Sequence, residues 1–216
     1  MNIAHGSTKD VTNAKQPSDR AEAILSYWFG GETDDRAVAQ QQGRMWWAKS
    51  DATDREIAAR FSSDVEAAAA GEYDSWAATP TGTLALVLLT DQFPRNIYRG
   101  RPQSFAYDPL ALQWAIDAIA RGMDQALRPI QRVFLYLPLE HAESLAHQDR
   151  AVELFEHLLS DVPDSHKETF AGYHDFAMRH RDVIARFGRF PHRNAILGRP
   201  STPEETAFLL TPGSSF

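Results

Sequence analysis

The sequence lacks cysteine altogether and is poor in positive charge and in long apolar runs. Without cysteine, disulfide bonds and thiolate chemistry are excluded. The 22 Lys and Arg residues are outnumbered by 29 Asp and Glu, and a net charge of -7 disfavours nucleic acid and anionic membranes as partners. The longest apolar run, LALVLL at 84–89, is far too short to span a bilayer. Since the N-terminus also has no apolar signal segment, we predict a cytoplasmic protein.

Sequence motifs for common cofactors and metals are also missing. No glycine-rich phosphate loop, dinucleotide fingerprint, serine nucleophile elbow or HExxH motif occurs. Glu140, His141, Glu143 and His147 are dense in potential ligands, but neighbouring residues 140 and 141 point about a hundred degrees apart on a helix. Glu143 and His147 are one turn apart, a spacing more typical of a surface contact. We therefore predict no metal and no cofactor.

The chain is predicted to be one all-α domain with a disordered N-terminal segment. Residues 1–18 are polar and without periodicity, so they cannot bury enough apolar area to fold. Residues 19–216 carry helical patterns almost throughout, and no segment gives a convincing strand pattern. The run at 84–89 alone could be a buried strand, but it has no evident pairing partner. Thr79-Pro80 before it resembles a helix cap and first turn, which favours a buried helix.

Several short motifs predict where individual helices begin and end. Capping boxes at Thr53–Glu56 and Thr202–Glu205 predict two helix starts, and Asp108-Pro109 predicts a third. Two longer helical stretches are predicted at about 129–160, where Pro138 must kink or split the helix, and at about 165–187.

Four motifs in order along the chain resemble a known bacterial family. They are GEYDSW at 71–76, LALVLLTDQFPRNIYRG at 84–100, FLYLPLEHAE at 134–143, and RFGRFPHRN at 186–194 followed by LGRPSTPEE at 197–205. This combination is similar to the family called domain of unknown function 924, and the likeness covers nearly the whole chain after residue 20. The resemblance implies a tetratricopeptide-like helical fold and no established activity. The helical patterns themselves predict roughly eight to ten helices, and short loops between them favour antiparallel pairs.

Two histidines interrupt apolar helical stripes. Phe170, Tyr173, Ala177, His180, Ile184 and Phe187 repeat at spacings of three and four, and His141 begins a similar stripe after Pro138. Each histidine alone is more simply explained as a neutral core residue with satisfied ring nitrogens. Histidine also titrates near neutrality, so a catalytic acid or base remains the alternative.

Two Phe-Pro motifs place arginine and asparagine close behind proline. The first, at 93–96, provides Arg95 and Asn96; the second, at 190–194, follows Arg189 and provides His192, Arg193 and Asn194. The planar fork of arginine suits carboxylate or phosphate groups. Pairing with the many internal acids explains the arginines equally well. The phenylalanines are predicted to be core residues, and the prolines are predicted to end helices.

These residues suggest a pocket for a small anionic ligand. In this hypothesis the ligand contacts Arg95, Asn96, Arg189, His192, Arg193 and Asn194. The acid–base group comprises His141 and His180, with Asp91 and Glu140 orienting them. The alternative is a tetratricopeptide-like scaffold that binds a protein or peptide without catalysis, which would present an open groove lined by exposed side chains.

Overall fold

The computed structural model describes residues 17–214, and every regular element in that range is helical. The ten α-helices in this range are α1 (Pro17–Phe29), α2 (Asp35–Trp47), α3 (Asp51–Ala69), α4 (Pro80–Val87), α5 (Phe93–Ile97), α6 (Asp108–Ala120), α7 (Pro129–Glu140), α8 (Leu145–Asp161), α9 (Lys167–Phe187) and α10 (Pro203–Leu209). The prediction of an all-α fold is confirmed, whereas its tetratricopeptide-like character stays a prediction. The disorder predicted for residues 1–18 falls mostly on residues 1–16, which lie outside the described residues. Helix α1 already begins at Pro17.

Helix starts follow the side chains that cap them. Thr79 accepts the N–H of Gly82 at 3.1 Å at the start of α4. At the start of α10, Thr202 and Glu205 each accept the other's backbone N–H, at 3.1 and 2.7 Å. The start predicted for α3 was wrong. Ser50 caps this helix by accepting the N–H of Thr53 at 3.2 Å, so the helix begins two residues before the predicted capping box.

The apolar run at 84–89 is a buried helix, as predicted, but the helix does not end at Pro94. Between α4 and α5 the chain forms a π-turn, Leu88–Gln92, closed by the N–H of Phe93 and the carbonyl of Leu88. Proline has no N–H, and its ring clashes with the carbonyl four residues earlier in a regular helix. The wider turn removes this conflict, so the helical path continues to Ile97.

The second proline of the Phe-Pro motifs does not end a helix either. Helix α9 ends at Phe187, followed by Gly188 in the left-handed conformation, φ 69°. Pro191 instead opens the 3-10 turn Pro191–Arg193, where its fixed φ suits the first position. Both Phe-Pro motifs therefore begin a turn of helix.

The stretch from residue 129 to 160 splits shortly after Pro138. Helix α7 continues through Pro138 to Glu140, and α8 starts at Leu145. The fully buried Gln148 on α8 donates its amide to the carbonyls of Glu140 and Ala142, at 2.5 and 2.8 Å. The break is thus held in place by a side chain of the next helix.

The core consists of one large cluster and one small one. The large cluster contains an aromatic centre in which Trp28 contacts Trp46, Phe93 and Phe134. The small cluster is formed by Val183, Ile184 and Phe190, with Phe187 and Phe208 packed against it. Each Phe-Pro motif contributes one fully buried phenylalanine to the core. Phe93 belongs to the large cluster and Phe190 to the small one. The ring of His180 contacts Phe190, so this histidine lies against the small cluster.

Candidate functional site

A cavity of about 650 Å³ lies between helices α2, α7, α8 and α9. Its walls are mainly apolar and aromatic. They are formed by Ala39, Gln40, Trp47, Val133, Leu137, Phe155, Thr169, Gly172, Tyr173 and Phe176. Trp47 and Phe176 are 50% and 47% exposed and mark the mouth. Glu140, His141 and His180 complete the lining. Because Glu140 and His180 are buried, these three residues form the inner end of the cavity, and we call them the floor.

One half of the floor is a histidine held by a buried carboxylate. Nδ1 of His141 lies 2.7 Å from Oδ1 of Asp91, which is completely buried in the π-turn. Burial raises the pKa of Asp91, but Arg95 and His141 more than offset this, so the net pKa lies well below its usual range. The ionised carboxylate can only accept, so Nδ1 of His141 carries the proton and Nε2 is its basic nitrogen.

The other half of the floor is a buried glutamate–histidine pair. Nδ1 of His180 lies 3.0 Å from Oε1 of Glu140 and 2.8 Å from the carbonyl oxygen of Phe176. Because that carbonyl can only accept, Nδ1 of His180 carries the proton and donates it to Phe176, with Oε1 of Glu140 beside the same N–H. Burial, together with the charge of Asp91, raises the pKa of Glu140 to about 8. Glu140 therefore keeps its proton at neutral pH.

Two arginines lie behind the floor and meet at a shared aspartate. Arg95 contacts Asp91 at 3.1 Å and forms a fork with the two carboxylate oxygens of Asp108, at 3.0 and 3.1 Å. Arg193 approaches the same carboxylate at 3.4 Å, and the ring of Phe105 lies under both guanidinium groups. The arginines of the two Phe-Pro motifs are thus brought together, and two carboxylates balance their charges.

Burial, assisted by the arginines, keeps the nearby histidines neutral. Burial lowers the pKa of His141, and Arg95 and Arg193 lower it further against the opposing effect of Asp91. Burial lowers the pKa of His180 to about 3, and the charge of Arg193 also contributes. Burial, then Arg193, lowers the pKa of His192 to about 4. The floor therefore has neutral histidines in front of a cluster of paired charges.

The structure does not bring every predicted residue to the cavity. Asn96 donates to Asp54 of α3 at 2.9 Å and does not line the cavity. Arg189 forms a fork with Glu205, at 2.6 and 2.8 Å, and the buried Asn194 donates to the same carboxylate at 3.3 Å. The cavity lining includes His141, His180 and Glu140 but none of the six residues predicted to contact the ligand. Internal acids engage most of those six, and their role toward a ligand stays a prediction.

Three residues of the site were missed by the sequence analysis. Asp108 was interpreted only as a helix start, although it also joins Arg95 to Arg193. Gln92 donates its amide to Asp91 from the next position in the chain. Gly172 opens the wall of the cavity, since a Cβ built on it would meet no atom within 4 Å. A glycine inside the predicted helix 165–187 could have indicated a special position, because glycine destabilises the interior of a helix.

The fold and site define an all-α protein with a buried histidine–carboxylate floor beneath an apolar cavity. The chain belongs to the family described as bacterial protein of unknown function (DUF924), whose model matches residues 24–213. A solved structure, the protein of unknown function ATU0120 from Agrobacterium tumefaciens, is similar to it. The two sequences are 40% identical, the match covers 90% of this chain and 99% of the other, and the TM-score is 0.77.

No curated protein matches this chain. Across residues 17–214, no helix combines the length and apolar character needed to cross a membrane. Within the same residues, no three histidine, aspartate or glutamate side chains are grouped so that they could hold a metal ion. What the protein does must therefore be argued from the cavity and its floor.

Proposed function

We propose that the protein binds a small organic acid that has an apolar body and an anionic oxygen head. The body occupies the apolar walls of the cavity, and the head lies at the floor beside His141. The observation that carries the proposal is the Asp91–His141 pair, which presents a basic nitrogen at the inner end of an otherwise apolar cavity. Convergent polar groups in a well-formed apolar pocket are typical of small-molecule sites.

The walls support an apolar body of moderate size. A volume of about 650 Å³ falls within the roughly 300–1,000 Å³ usual for small-molecule sites. Val133, Leu137 and Phe155 supply aliphatic and aromatic surface, and the half-exposed Trp47 and Phe176 supply more at the mouth. Each methylene transferred from water to such walls contributes about 0.8 kcal/mol. A longer apolar chain should therefore bind more tightly until the cavity is filled.

The floor supports an anionic head that binds together with a proton. Asp91 and Asp108 already balance Arg95 and Arg193, so no fixed positive charge remains uncompensated for an anion. His141 is neutral, and an arriving anion would raise its pKa. Uptake of one proton by His141 would then provide the charge that the head requires.

A scaffold that binds a protein or peptide remains the alternative function. It differs in the surface that it would use, since its partner would contact side chains outside the cavity. Filling the cavity would leave such binding intact, whereas it would abolish binding of a small acid.

Binding is tested with three straight-chain acids of increasing length: acetate, hexanoate and decanoate. The melting temperature should rise with chain length, because a ligand that binds only the folded state stabilises it by mass action. Decylammonium, which has the same body as decanoate but a cationic head, should raise it less. Equal effects of decanoate and decylammonium would contradict the anionic head, and no effect of any acid would contradict the proposed function.

The Gly172→Leu variant should lose decanoate binding without losing stability. The new side chain grows from an exposed position in the cavity wall, where its Cβ would meet no atom within 4 Å, so it narrows the cavity without a clash. Leucine also favours the helix over glycine by roughly 0.5–1 kcal/mol, so the ligand-free variant should melt no lower than the parent. Isothermal titration calorimetry measures the loss of binding.

The matched control for this variant is Ala171→Leu. Ala171 lies on the same helix, is exposed, and does not line the cavity. Decanoate should bind this control as it binds the parent. Undiminished binding to the Gly172→Leu variant would place the ligand outside the cavity.

A further inference from the structure

The cavity lining has a base and an acid but no activated nucleophile. Among the described residues that line it there is no serine, cysteine or lysine, and the hydroxyl groups belong to Thr169 and Tyr173. Burial raises the pKa of Tyr173 to about 12, so its phenol stays protonated and is a poor nucleophile. This lining favours proton transfer over a covalent intermediate.

The floor leaves no space for a leaving group beyond it. Glu140 and His180 are 3% and 4% exposed, and Asp91, fully buried, lies directly behind His141. A substrate that enters through the mouth with its polar end first would have that end blocked on the far side. This geometry favours a reaction that keeps the carbon skeleton whole.

We propose that the site catalyses proton transfer at the carbon next to a carbonyl group in an apolar ketone. His141 acts as the base and Glu140 as the hydrogen-bond donor to the carbonyl oxygen. This inference rests on the proposed function, because the enolate formed in the reaction is itself an apolar molecule with an anionic oxygen head. Carboxylates such as decanoate are then mimics of that enolate.

His141 would perform the first step through Nε2. The C–H bond next to the carbonyl breaks, its proton passes to Nε2, and the electron pair moves onto the carbonyl oxygen. Asp91 acts as a positioning residue: it holds Nδ1–H at 2.7 Å and stabilises the imidazolium that forms. Return of the proton to the same carbon exchanges it, and return to a conjugated carbon isomerises the substrate. Neither outcome requires an oxidant, a reductant or a second substrate.

Glu140 would stabilise the developing oxyanion. Its Oε1 lies 3.0 Å from the protonated Nδ1 of His180, an arrangement that favours the carboxylic proton on the other oxygen. A carboxylic acid that stays protonated in an apolar site is a strong hydrogen-bond donor to an enolate, because little charge has to be desolvated before the reaction. His180 fixes the orientation of this carboxyl group.

The test is hydrogen–deuterium exchange into 2-octanone in deuterated buffer, followed by NMR. The protein should accelerate exchange next to the carbonyl of 2-octanone and should do so much less for acetone, which lacks the apolar body. Decanoate should inhibit the exchange. A positioned base contributes about 10²–10⁴-fold, so His141→Gln should lower the rate at least about 100-fold. Asp91→Asn should also shift the pH dependence of the rate, which a purely structural role would not do.

Two further variants keep the test decisive if His141→Gln fails to fold. Gly172→Leu leaves all polar groups in place and should abolish the acceleration, whereas Ala171→Leu should retain it. Exchange that is equal for acetone and 2-octanone, or that is unchanged in Gly172→Leu, would overturn the proposal. Binding of decanoate without any exchange activity would overturn the proton-transfer reaction and leave the proposed function standing. Failure of decanoate to bind would overturn both.

Discussion

Replacement of Arg95 by alanine is expected to destabilise the protein by about 3–5 kcal/mol. Arg95 is the cation next to Asp91, which is completely inaccessible to water, and it also holds Asp108 through two hydrogen bonds. Its removal leaves Asp91 with His141 and Gln92 as its remaining partners, and an uncompensated buried charge is costly. The free energy of unfolding in urea measures the loss.

Arg99→Ala provides a matched control one turn further along the chain. Arg99 also forms a fork with an aspartate, Asp54, at 2.6 and 2.8 Å, but it is 37% exposed. Pairs at the surface contribute about 1 kcal/mol or less. The double variant Arg95→Ala/Asp91→Asn should recover part of the stability, since it removes the buried charge as well. Equal losses of unfolding free energy for Arg95→Ala and Arg99→Ala would show that the arginine–aspartate cluster behind the floor is not buried as described.

The Glu140→Gln variant is expected to be more stable than the parent protein at alkaline pH. The pKa of Glu140 in the folded protein, about 8, lies above its ordinary value of 4.5 because of burial and the charge of Asp91. The stability associated with its proton is therefore complete below pH 4.5 and is lost as the pH rises toward 8. An account of Glu140 and His180 as a simple ion pair predicts the opposite, namely that Glu140→Gln loses stability.

The difference in stability between the parent and Glu140→Gln from pH 6.5 to 8 isolates the contribution of Glu140. Burial lowers the pKa values of His180 and His192 to about 3 and 4, and burial also lowers the pKa of His141. The stability that these histidines contribute is lost as the pH falls through 6.5, and it changes equally in the parent and in Glu140→Gln. One pH unit corresponds to about 1.4 kcal/mol, so the parent should lose about 2 kcal/mol relative to Glu140→Gln between pH 6.5 and 8. The same slope in Glu140→Gln would exclude Glu140 as its source.

Local signals in the sequence predicted the helical fold well. The caps at Thr79 and Thr202 depend on residues only three positions apart, and such short-range hydrogen bonds can be identified without tertiary information. The stripe containing His180 was also visible, because one face of a helix repeats in the sequence. The π-turn before Pro94 was not predicted, since the proline alone is compatible either with a helix end or with a wider turn.

The partners of the arginines could not be predicted from the sequence. Arg193 and Asp108 are 85 positions apart, and Arg199 and Glu143 are 56 apart. With 29 acidic residues available, nothing local selects one partner over another. The prediction that the two Phe-Pro motifs bring their arginines together agrees with the structure for Arg95 and Arg193. The contact is made through Asp108, which local sequence patterns assigned only to a helix start.

The cavity could not be predicted from the sequence either, because it forms only in the tertiary structure. Trp47 and Tyr173 come from helices that are far apart in the chain, and their rings approach to 6.1 Å between centroids at its wall. Half of the surface of Trp47 is exposed, which its residue type does not predict, since tryptophan is highly buried on average. In the proposed function the arginines tune a histidine that faces the ligand, and a direct contact of the arginines with a ligand stays a prediction.

A crystal structure of the protein with bound decanoate tests the central claim most directly. The account predicts that the carboxylate lies within hydrogen-bond distance of Nε2 of His141 and that the chain runs outward past Val133 to the mouth at Trp47 and Phe176. Decanoate bound on the outer surface, or bound in the cavity with its head at the mouth and its chain against Glu140, would contradict the account.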